Sequence, residues 1–73
     1  MHTHGFEEAS AAYLSDPQKL VGQFRCFGEV GQAYEVLRID GEGKAWIRVV
    51  SSAEELAYPI AKIVADPIAQ TIR

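Results

Sequence analysis

The sequence predicts a mainly β fold: a small, curled antiparallel barrel of four or five short strands, with a short helix before it and a helical turn at its end. Three observations lead there. Runs rich in aromatic and β-branched residues (QFRCF at 23–27, QAYEVLRI at 32–39, KAWIRVVS at 44–51) are separated by glycine-bearing turns, and ELAY at 55–58 stops at Pro59. The stretch DGEG at 40–43 lies between two of these runs, and Asp-Gly between strands is a strong hairpin signal. In the second run Tyr34 and Val36 have one parity while Leu37 and Ile39 have the other, so no single register buries all four. A β-bulge near Val36 and Leu37 resolves that conflict and bends the strand.

The elements follow in order. Residues 1–19 read as a flexible tail plus a short helix, and residues 20–73 as the β domain. FEEASAAYLS at 6–15 places Phe6, Ala9, Tyr13 and Leu14 on one helical face, with Glu7 and Glu8 in the first turn, where the dipole favours acids. Ten residues are too few for a stable isolated helix, so it must dock. Asp16-Pro17 and Asp66-Pro67 each read as an N-cap followed by a first-turn residue, predicting helical turns over 16–20 and after Asp66. In the third run Ala45, Ile47 and Val49 form a small aliphatic face suited to a core, with Trp46, Arg48 and Val50 opposite. IAKIVADP at 60–67 predicts a helical turn with Ile60, Ile63 and Val64 on one side. Short strands, tight turns, a bulge and a terminal turn together describe an SH3-like barrel. A curled sheet with the N-terminal helix laid across it is the alternative.

Size and charge narrow the function. A 73-residue chain is one domain. Chains of this length bury only about 60% of their unfolded surface, and self-association is a common remedy. The single cysteine forms no internal disulfide. Hydrophobic residues make up 48% and charged residues 23%, which is globular rather than disordered. Seven Lys and Arg stand against ten Asp and Glu, a net charge of −3, which disfavours general nucleic-acid binding. No apolar run approaches membrane-spanning length, and the first residues lack a signal-peptide pattern. With one cysteine, this predicts a cytoplasmic protein.

The run LVGQFRCFGEVGQAYEVLRI, followed by YPIAKIVADP, resembles a family of small uncharacterised bacterial proteins. That family shares a G-x-F-x-x-F-G-x-x-G-x-x-Y-E-V core and a Y-P-x-x-x-I-x-x-D-P end. The resemblance covers Leu20 to about Pro67. It implies a bacterial or phage origin and a compact β domain, and transfers no activity.

Each chemically suggestive residue has a plain structural reading. Cys26 needs a base to act as a nucleophile, and the only histidines are His2 and His4 near the N-terminus. It is therefore expected in the core beside Phe24. Gly28-Glu-Val-Gly31 resembles the nucleotide clamp of KH domains, but strands flank it and Glu29 repels phosphate, so it reads as a turn. Gly41 and Gly43 read likewise. His2, His4 and Cys26 do not complete a zinc site, and no cofactor or metal is predicted. The acids are spread out, with Glu54 and Glu55 suited to protecting a sheet edge. The small chain leaves little room for a typical ligand pocket of about 300 Å³ or more.

The arginines offer the better lead. Arg25 shares parity with Phe27, and Arg48 with Trp46. If the first and third strands approach, Trp46, Arg48, Arg25, Phe27 and Tyr34 form a mixed aromatic and basic binding face. In the competing arrangement Phe6 and Tyr13 cover Trp46 while the arginines pair with local acids. The function expected is thus a non-enzymatic module that binds an unidentified protein partner and self-associates. A second expectation, of another class, is an acidic regulatory or counter-defence protein of phage or mobile-element origin that occludes a nucleic-acid-binding target. A third is a specific nucleic-acid binder using Arg25, Arg38 and Arg48 with aromatic stacking.

Overall fold

The computed structural model describes residues 13–69. The expected tail and most of the expected N-terminal helix lie outside them. Residues 13–15 are helical. A 3-10 turn (Pro17–Leu20) follows, then β1 (Phe24–Cys26), β2 (Ala33–Ile39), β3 (Lys44–Val49), β4 (Glu55–Pro59) and α1 (Ile60–Ala65).

Pro17 opens the 3-10 turn with its fixed φ, as its position suggests. Asp16 does not cap it with its side chain; its carbonyl accepts from Lys19 N–H at 3.1 Å instead. The four strands form one antiparallel sheet in the order β1-β2-β3-β4. The sheet is open, because β1 and β4 stand at its two ends and do not pair.

Two turns position the strands. Between β1 and β2, Phe27 N–H donates to Gln32 O at 3.1 Å. Gly31 is required there, since a Cβ would lie 1.9 Å from the Phe27 carbonyl oxygen. Between β2 and β3, Asp40 N–H donates to Lys44 O at 2.8 Å, with Gly41 and Gly43 at positive φ. Both turns are those the glycines predicted.

The bulge falls where the parity conflict placed it. Val36 faces Ile47 and Arg38 faces Trp46, so Leu37 is the extra residue. The skipped residue lets Tyr34, Val36 and Ile39 share one side of the sheet. That side joins Leu20, Ala45, Ile47, Ile60 and Ile63 in the core, with Tyr13, Phe27, Leu56, Tyr58 and Val64 packed around it. Helix α1, the 3-10 turn and Tyr13 cover it.

Two expectations change. The turn after Asp66 is not helical. Residues 67–69 run beside β1, where Cys26 N–H donates to Pro67 O and Ala69 N–H to Phe24 O, each at 2.9 Å, with an Arg25–Ile68 bridge between. Pairing satisfies β1's outer backbone groups, which a helical turn would leave unmet. The phase of β1 is also inverted. Arg25, not Cys26, points to the core side, since Arg25 pairs with Tyr34 and is only 4% exposed. Cys26 and Phe24 are half-buried on the opposite side.

Candidate functional site

The five residues read from the sequence as one face are divided by the sheet. Arg25, Phe27 and Tyr34 lie on the covered side, and Trp46 and Arg48 on the other. The two groups do different things.

On the covered side the convergence point is Asp66, at the C-terminal end of α1. Its carboxylate accepts from Tyr34 OH at 2.7 Å, Tyr58 OH at 3.1 Å and Gly28 N–H at 3.1 Å. The Phe27 ring lies 4.5 Å from that of Tyr34 and 5.3 Å from that of Tyr58. Burial, then the hydrogen bond to Asp66, pushes the Tyr34 phenol well above its ordinary value, and Tyr58 moves the same way for the same causes. Arg25 completes the cluster. Its guanidinium donates to Ile63 O at 3.1 Å and Asp66 O at 2.8 Å, and twice to the Gln23 side chain. It also lies 5.4 Å from the centre of the Tyr13 ring. A cation at the last carbonyls of a helix is favoured by their dipoles; here it satisfies the Asp66 carbonyl and adds a second donor to that of Ile63, which also accepts from Asp66 N–H at 3.1 Å. That demand, absent from any short-range pattern, turned β1 over. Tyr34 is fully buried, so neither it nor Arg25 is free to meet a macromolecule.

This cluster draws on both of the stretches quoted for the resemblance. Phe27, Gly28, Gly31 and Tyr34 come from the first, and Tyr58, Ile63 and Asp66 from the second. Gly28, Tyr34 and Tyr58 bond the Asp66 carboxylate, Phe27 packs on both tyrosine rings, and Gly31 shapes the turn beside them. Gly28–Gly31 is a turn anchored by Asp66.

The outer side carries Phe24, Cys26, Glu35, Arg38, Trp46, Arg48, Glu55 and Ala57, by the strand registers. Trp46 is half-buried, and the Arg38 guanidinium lies 5.2 Å from the centre of its ring. Arg48 bridges to Glu35 at 3.1 Å and lies 3.9 Å from Glu55. No carboxylate bonds Arg38 among the described residues. Tyr13 packs toward Arg25 and the core rather than over Trp46. The set Arg25, Arg38 and Arg48 is likewise broken up, because Arg25 is interior. Arg38, which the sequence reading placed only in that third set, is the one that joins Trp46; the bulge at Leu37 puts it there.

A recess of about 720 Å³ lies between the β1–β2 and β3–β4 loops, lined by Phe27, Val30, Gln32, Val49, Ser51, Glu54 and Leu56 among others. It is larger than the chain length suggested. Among the described residues Glu54 is its only ionisable lining residue. A second groove of about 340 Å³ lies between Leu14, Pro17, Ile39 and Ile60. Among the described residues no group of three or more His, Cys, Asp and Glu could hold a metal ion, and no helix is long and apolar enough to cross a membrane. His2 and His4 lie outside the described residues.

These features define a class: a small, mainly β domain whose sheet is covered on one side by a short helix and, among the described residues, has no element packed on the other. The chain belongs to a family of unknown function, DUF5397, whose model matches residues 12–70. No curated protein matches the chain.

Proposed function

We propose that this domain is a non-enzymatic protein-interaction module that meets its partner through the outer sheet face around Trp46 and Arg38. The observation that carries this reading is the Trp46–Arg38 stack at 5.2 Å on the side of the sheet away from the core. Tryptophan and arginine are the residues most enriched at energetic centres of interfaces. Trp46 supplies the apolar anchor that a partner desolvates. Arg38 reads a carboxylate beside it, bidentately where geometry allows. Arg48, already held by Glu35 and Glu55, frames the patch rather than driving binding. The reading places the protein in the cytoplasm, where a lone, half-buried cysteine stays reduced.

The topology we propose is that of a reduced SH3-like barrel. The order of segment 67–69, β1, β2, β3, β4, with a short helix between β4 and that segment, supports it.

Affinity capture from the native host with wild type, Trp46→Ala and Arg38→Glu tests the binding face. A partner lost by both folded variants supports it. A partner retained by both, but released steeply by salt, belongs to an acidic-surface mode of action. A gel shift of labelled oligonucleotide at low salt would instead favour nucleic-acid binding.

A further inference from the structure

Strand β4 ends the sheet, and its outer edge bears backbone groups that no described residue uses. The ladder identifies them. Val49 N–H donates to Glu54 O, and Ile60 N–H to Gly43 O, each at 2.8 Å. Bonded pairs recur every second residue in an antiparallel ladder. Ile47–Leu56 and Ala45–Tyr58 are therefore the bonded pairs between those two, in the observed register. Glu55 and Ala57 turn their N–H and C=O groups away from β3. Pro59, in phase with them, offers a carbonyl alone.

This edge complements itself. Laid antiparallel about Ala57, two copies bring one Ala57 opposite the other, and these exchange both hydrogen bonds. Each Glu55 N–H then faces the Pro59 carbonyl of the second copy. The charges match as well. Arg48 is opposite Glu55 and Lys44 is opposite Pro59 within one chain. Across the junction a row on the outer face therefore reads Arg48, Glu55, then the second copy's Pro59 and Lys44. Strand spacing puts Glu55 and that Lys44 about 10 Å apart at Cα, within reach of two long side chains. Ala57 is exposed and small, so among the described residues no side chain clashes and no like charges meet at the axis. Glu55 thus fits this pairing rather than blocking the edge.

We infer that β4 is a homodimerisation edge, joining two copies antiparallel about Ala57 into one continuous sheet, with Glu55 paired to Lys44 of the other copy. Trp46 is in the Ala57 row, so both tryptophans reach one surface. The pairing holds whether or not that surface binds anything else.

Light scattering across a concentration series, under reducing conditions, tests it. The native chain should rise from 8.0 kDa toward twice that mass. Ala57→Lys sets like charges opposite each other at the axis and should stay at 8.0 kDa with an unchanged circular dichroism spectrum. Lys44→Glu and Glu55→Lys should each weaken association about tenfold, and the two together in one chain should restore it. Amide exchange at Glu55 and Ala57 should slow as concentration rises. A native chain that stays monomeric up to its solubility limit would overturn the inference. So would an Ala57→Lys chain that associates as tightly as the native one, or a double exchange that recovers nothing.

Discussion

Asp66 accepts from three donors that come from three separate parts of the chain, and its removal strands all of them. Asp66→Ala should cost about 3 kcal/mol in urea unfolding, and Tyr34→Phe about 2 kcal/mol. The raised phenols carry a pH signature. A group whose folded pKa lies above its unfolded value stabilises the fold below the unfolded pKa, and loses that contribution as pH rises. For Tyr34 and Tyr58 stability should hold up to about pH 10, where free tyrosine ionises, and fall above it. In Tyr34→Phe the alkaline decline should be shallower, measured as unfolding midpoint against pH. The arginines separate in the same way. Arg25→Ala should cost about 2–3 kcal/mol, because it strands the Asp66 carbonyl, takes one of two donors from that of Ile63 and empties a buried position. Arg48→Ala should cost under about 1 kcal/mol, since its bridges are solvent-exposed. Nothing local in the sequence distinguished these two residues. Asp66 itself was legible only as half of an Asp-Pro punctuation, because its partners lie 8 to 38 positions away.

At the scale of elements, β2 was readable and β1 was not. Seven residues of β2 carry enough alternation to expose a parity conflict, and the bulge at Leu37 is the physical answer to it. Deleting Leu37 removes the extra residue and leaves regular alternation, so Arg38 should stay beside Trp46 and Ile39 in the core, and unfolding should remain cooperative, checked by urea titration with Trp46 fluorescence. Three residues of β1 carry no such signal. Phe24 and Cys26 flank Arg25, and hydrophobicity alone turns the arginine outward. The carbonyls of Ile63 and Asp66 at the end of α1 outweigh that preference, a demand that arises only once α1 is docked on the sheet. The turn between β1 and β2 was readable from its glycines. Gly31→Ala should cost more than about 2 kcal/mol, since the Phe27 carbonyl occupies the place of the new methyl group.

For the whole molecule, the sheet has two sides with different duties. The covered side holds the core and the Asp66 cluster. The outer side carries Trp46, Arg38 and Arg48 and answers to no packing demand among the described residues. The sequence reading merged the two because parity along a strand says which residues share a side, not which sides match between strands. That relation comes from hairpin register, which the G-x-x-G turn sets and the pattern of β1 did not reveal. The proposed binding face is therefore the side away from the Asp66 cluster. Binding to a partner captured from the native host, measured by titration for wild type, Trp46→Ala and Arg38→Glu, tests this most directly. The account predicts that both substitutions leave the unfolding midpoint nearly unchanged and weaken binding by about 30-fold or more. Two variants that fold as the wild type does, and bind the partner as tightly, would contradict it.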